Sequence, residues 1–95
     1  MKIQFYNQQL KGLDGQPVED AQGNYVMMHM ALGSALVSGS EGEVLKFYDW
    51  ALKMHNGIEL DLDKSDQEVL KKFIKETKTL TILAKGQLLE MLDGK

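Results

Sequence analysis

The sequence predicts an α+β domain of about four helices packed with a small two- or three-stranded sheet. Three observations carry that expectation. Ninety-five residues with 43% hydrophobic content supply one core and are too few for two, so residues 1–95 are read as a single domain. Apolar and polar residues alternate with period two near residue 3 and again from Ile58 to Asp63, which is strand spacing. Finally, Ser40-Glu41-Gly42-Glu43 and Ser65-Asp66-Gln67-Glu68 both have the capping-box pattern, and each precedes a run with apolar residues three and four apart.

In chain order, Ile3 and Phe5 alternate with Lys2 and Gln4, predicting a short half-buried strand within residues 2–8. Asp14-Gly15 and Gln22-Gly23-Asn24 are turn signals, and Pro17 between them forbids a continuous helix. Residues 11–24 are therefore a loop or irregular hairpin, with no internal repeat evident. The run from Tyr25 to Val37 is almost wholly apolar, and Met28, Ala31, Leu32, Ala35 and Leu36 recur at helical spacing. This predicts a buried helix over 28–37 closed by Ser38-Gly39, with Tyr25 to Met27 equally able to form a brief strand. A second helix follows the Ser40 cap, with Val44, Leu45, Tyr48, Ala51, Leu52 and His55 as its stripe and Asn56-Gly57 as a left-handed stop. Ile58, Leu60 and Leu62 then form a strand with one wet face. A third helix starts at Ser65 with the stripe Val69, Leu70, Phe73, Ile74 and Thr77, and Thr79 caps a last helix bearing Leu83, Ala84, Leu88, Met91 and Leu92. The stripes of 44–55, 69–77 and 83–92 are expected to share one core.

Composition narrows function by exclusion. With no Cys, a disulfide framework and a thiolate metal cluster are both ruled out. No window approaches the roughly 18 apolar residues of a membrane span, and residues 1–9 lack the apolar stretch of a signal peptide. The chain is read as soluble and cytoplasmic, without a membrane partner. Net charge is −3, and the charges are segregated: residues 40–70 hold eight acids against three lysines, whereas 71–95 hold six lysines against three acids. All eleven basic residues are Lys, which disfavours bidentate recognition of phosphate or guanine.

Glu59, Asp61, Asp63, Asp66 and Glu68 first suggest a calcium loop. Counted from Asp61, the third and fifth positions fit as Asp63 and Ser65, but the sixth is Asp66 where Gly is needed and the twelfth is Lys72 where a bidentate Glu is needed. A capped helix N-terminus explains the same acids. His29 and His55 fall in different helices without a zinc spacing; His55 reads as a cation at a helix C-terminus and His29 as a hydrogen-bonded structural histidine. No serine lies in G-x-S-x-G, and G-K-[ST] is absent, so no enzyme signature is found and neither cofactor nor metal is expected.

Two surfaces remain. Six methionines fit core filling first, but with Tyr25 and Trp50 also to place in a small domain some are expected at the surface, and Met27, Met30 and Trp50 are candidates for a partner-binding surface, Trp50 at the boundary as an interface anchor. Lys71, Lys75 and Lys78 fall on one helical side with Lys72 nearby, a basic face that is the candidate under the alternative reading of a nucleic-acid-associated regulator.

Read together, L-x-G-x-P-x-x-D-x-x-G at 13–23, A-L-x-x-A-L at 31–36, G-E-x-x-L-x-x-Y-x-x-A-x-K at 42–53, E-L-D-L-x-x-x-D at 59–66 and G-Q-L-L-E-x-L at 86–92 resemble short uncharacterised proteins encoded by tailed bacteriophages and prophages. The pattern departs from theirs at Thr79-Leu80-Thr81, where they carry a proline before the last helix. The matched positions are chiefly turns, caps and core, so no functional residue transfers. The resemblance implies a non-catalytic assembly or accessory component acting through protein contacts, with a phage component, a host factor or a second copy as partner, in the host cytoplasm or with the virion.

Overall fold

The computed structural model describes residues 1–39 and 42–94. Their order is β1 (Lys2–Ile3), α1 (Met28–Ser38), α2 (Val44–His55), β2 (Leu60–Asp61), α3 (Lys64–Glu76) and α4 (Ile82–Leu92). Four helices and a two-stranded antiparallel sheet make the fold α+β.

The sheet pairs Lys2 with Asp61 and Ile3 with Leu60. It is extended on one side by Met1, whose amine donates to the Leu62 carbonyl at 2.8 Å while its carbonyl accepts from the Leu62 N–H at 2.7 Å. Period two holds where it matters, because Leu60 and Leu62 are buried and Asp61 between them is exposed. Ile58 is exposed, so regular pairing is shorter than the 58–62 pattern suggests.

Residues 8–28 form a triangular arrangement without regular strands. Leu10 donates its N–H to the Val26 carbonyl, Val26 to Val18, and Val18 back to Leu10, all within 2.8–2.9 Å. Those three residues are eight apart, so the segment contains an eight-residue structural repeat where the sequence reading saw none. Two of the turns are made by glycines with positive φ, Gly15 at 81° and Gly23 at 82°, preceded by Asp14 or Asp20 accepting from backbone N–H groups two residues on, and the equivalent position eight residues earlier is Asn7, at φ 63°. The Gln87 side chain fastens one edge by accepting from the Lys11 N–H and donating to its carbonyl. The bridges Glu19 to Tyr25 and Gln9 to Met27 lead directly into α1, so Tyr25 to Met27 are extended rather than helical.

Helix α1 buries Met28, Leu32, Ala35 and Leu36, the stripe its spacing predicted. It ends at Gly39 in extended conformation, φ −87°, rather than through a left-handed glycine. The expected Ser40 cap lies outside the described residues. Asn56 and Gly57 do stop α2, Gly57 at φ 74°. Helix α3 is capped two residues earlier than Ser65: the Asp63 carboxylate accepts from the Asp66 N–H at 2.7 Å. Helix α4 is likewise capped by Thr81, which accepts from Ala84 N–H, and not by Thr79.

One core joins these elements, with Phe5, Leu32, Met54, Leu62, Leu70, Ile74 and Leu88 all but sealed from solvent. Here the structure corrects the stripe assigned to α2. The face turned inward carries Phe47, Trp50, Ala51 and Met54, whereas Val44, Leu45, Tyr48, Leu52 and His55 are exposed. Phe47 sits 5.0 Å from Phe73 and 5.9 Å from Trp50 between ring centroids, so aromatic packing draws that side of α2 onto α3. Lys46 reinforces the same joint by donating to Asp66 at 2.7 Å, which holds the Asp66 carboxyl below its ordinary range.

Candidate interaction surface

Helices α1 and α2 are joined by residues 39–43 and pack as a hairpin, the most extensive helix pairing in the fold. Gly33 of α1 and Ala51 of α2 lie on the floor between them, and both are small enough to let the backbones approach. The walls above are Met30, Ser34 and Val37 on one side and Tyr48 and Leu52 on the other, with His29 and His55 also lining the groove, which encloses about 270 Å³. Among the described residues, no Lys, Asp or Glu lines it.

Beside the groove, α2 presents a ridge. Leu45 is 82% exposed and Val44 70%, while Met30 across the groove is 61% exposed. Tyr48, Val37 and Leu52 are each about half exposed. Such a cluster is not explained by the solitary surface leucines that any protein carries. Taking on the order of 100 Å² for each of these six side chains puts the patch near 600 Å², the upper end of what soluble monomers expose.

Tyr6, His29 and His55 are associated at one end. The Tyr6 and His29 rings lie 4.6 Å apart between centroids. Gln4 fixes the chain before Tyr6 by donating to the Gly57 carbonyl at 3.1 Å. The His29 Nδ1 is buried and has no hydrogen-bond partner among the described residues. Burial pushes the His29 pKa below its ordinary value, and the nearby His55 pushes it further in the same direction.

Of the residues nominated from sequence, Met30 stands in this surface. Met27 is half-buried and outside the groove, its carbonyl accepting the Ala31 N–H at the start of α1. Trp50 is only 5% exposed and packs in the core, so it is not an interface anchor. Val37, Leu45, Tyr48 and Leu52 were missed as surface residues, although a signal was present: α2 carries more large apolar residues than one helix face can bury.

The lysines do not form one free basic face. Lys71 is tied to Asp93 of α4 at 2.8 Å, which raises its pKa, and Lys78 lies beyond the end of α3 at Glu76. Lys72 and Lys75 are exposed on the helix. Lys72 lines a second depression of about 460 Å³ together with Phe47, Phe73, Glu43 and Glu76, a mixed-charge rim rather than a cationic one. The acids of 59–68 are dispersed in the same way. Asp63 caps α3 and Asp66 pairs with Lys46, and among the described residues no three His, Asp or Glu side chains converge on a metal position. No described helix is long and apolar enough to cross a membrane. Compared with known proteins, the chain matches no family model, no curated protein and no solved structure.

Proposed function

We propose that this protein works by non-covalent association with another protein surface, through the outer face of the α1/α2 hairpin. The single observation that carries the reading is the exposure of Met30, Val37, Val44, Leu45, Tyr48 and Leu52 together on two packed helices. Holding these side chains in water forgoes the favourable burial that drives folding, at roughly 25 cal/mol for each Å². A partner that covers them recovers it. The role this supports is a non-catalytic assembly or accessory component, of the phage or prophage kind that the sequence resemblance implies.

The experiment is affinity capture from a mixture of host lysate and untagged protein, using wild-type bait and the surface variants Met30→Glu and Leu45→Glu. Circular dichroism first establishes that each variant is folded. At least one species, a second copy or another protein, is expected to be retained by the wild type and released by both variants. Identical capture by all three baits would defeat the reading.

A further inference from the structure

We propose that the outer α1/α2 face pairs with the same face of a second copy of this chain, in a two-fold arrangement that sets the α2 ridge of each copy into the α1/α2 groove of the other. The proposal rests on the reading of this face as an interface and names its occupant.

Shape is the first argument. A two-fold interface uses the same patch on both copies, so the patch must be complementary to itself. This face meets that requirement because it carries a convex and a concave part side by side. Val44 and Leu45 are strongly exposed in the first turn of α2, four and three residues before Tyr48 of the groove wall, a spacing that puts them on the same side of the helix. An apolar cavity of roughly 150 Å³ holds a benzene-sized group. The 270 Å³ of the groove therefore accommodates about two side chains of that size. Two hairpins packed this way make a four-helix arrangement with a continuous apolar seam.

Area is the second. A stable interface buries about 800 Å² on each partner. The six apolar side chains supply on the order of 600 Å² of that, and the exposed parts of His29, Ser34 and His55 adjoin them.

Charge is the third. Among the described residues no Lys, Asp or Glu lines the groove, so placed against its own copy it brings no fixed like charges together. On α2, Asp49 and Lys53 pair with each other at 3.1 Å and so present little net field. The net charge of −3 repels between copies, so added salt should not weaken pairing. Nucleic-acid binding through lysines would show the opposite salt dependence.

Sedimentation of the full chain from micromolar to millimolar concentration tests this, with Leu45→Glu and Met30→Glu beside the wild type. The two variants alter different helices, so a folding failure in one leaves the other informative. A monomer–dimer equilibrium is expected for the wild type, weakened by roughly tenfold or more in each variant, since a carboxylate would be desolvated against apolar groups. The chain has no Cys, which allows single thiols to report proximity. Tyr48→Cys should form a disulfide-linked dimer on oxidation faster than Ile82→Cys, whose position is 88% exposed at the start of α4. A dimer that ignores both glutamates and links equally at the two thiols overturns the proposal. So does a wild-type chain that stays monomeric to millimolar concentration. In that event the capture experiment decides the broader reading: a heterologous protein lost from both variants preserves the interface, and identical profiles remove it as well.

Discussion

Helix α2 carries two apolar stripes made from similar residues, and their surroundings differ completely. On the inner side Phe47, Trp50, Ala51 and Met54 are buried against α1, α3 and β2. Around the helix from them, Val44, Leu45, Tyr48 and Leu52 stand in solvent beside α1. Both sets obey three- and four-residue spacing, so each reads equally well as the core face of an amphipathic helix. Spacing tells which residues share a side. Which side becomes the interior depends on where distant segments pack, here Phe73 of α3 and Leu60 of β2. The inner stripe makes its contact within the chain, and the outer stripe is the one proposed above to make a contact beyond it.

The largest effect should come from the inner stripe. Trp50→Ala removes a buried indole and is expected to destabilise the fold by about 3–5 kcal/mol in urea unfolding, enough to leave a marginal protein largely unfolded. A loss below about 1 kcal/mol would mean that Trp50 is not a core residue. Next comes Gly42, whose backbone has φ 109° and where an added Cβ would stand 2.6 Å from the Phe47 ring. Gly42→Ala should cost about 2 kcal/mol through backbone strain and displacement of that ring, read as a lower thermal midpoint. Asp63→Ala should cost about 1 kcal/mol, because the α3 cap is lost, whereas Ser65→Ala should be nearly silent. Equal losses would restore Ser65 as the cap.

A shallower effect belongs to the groove end. The His29 pKa is lowered in the folded protein, so its neutral form favours folding. That contribution is complete above the unfolded value of about 6.5 and is lost as pH falls through the folded value. Stability should therefore decline on acidification below about pH 6.5, with a smaller slope in His29→Gln. The pairing of Asp66 with Lys46 acts in a separate window, since the depressed Asp66 carboxyl loses its contribution only as pH falls below its ordinary range near 4. An unchanged slope in His29→Gln would remove His29 as the cause. Smallest of all is Leu45→Ala on the outer stripe, expected to alter monomer stability by less than about 0.5 kcal/mol in dilute solution.

The fold class, the four helices and the place of β2 were legible because periodicity and turn chemistry are local properties. Caps were legible only to within two residues, since Asp63 and Ser65, or Thr79 and Thr81, are all competent acceptors and packing chooses between them. The triangular segment escaped although a signal was present: Leu10, Val18 and Val26 recur every eight residues, as do the turn residues Asn7, Gly15 and Gly23, a period that belongs to neither helix nor strand. At the candidate surface, an excess of apolar residues was visible, and Met30, a candidate for partner binding, is exposed. Trp50 is expected at the boundary because it falls between Tyr48 and Leu52, which read as core, yet its size is what makes a tryptophan valuable in a small core. The pairing of groove and ridge was not legible at all, because it arises from two helices at once.

Amide chemical shifts followed as the protein is diluted test the central claim most directly. The account predicts concentration-dependent shifts concentrated at Met30, Ser34, Val37, Leu45, Tyr48 and Leu52, with Leu70, Ile74 and Leu88 unmoved. Shifts that are independent of concentration, or that gather instead along residues 71–78, would contradict it.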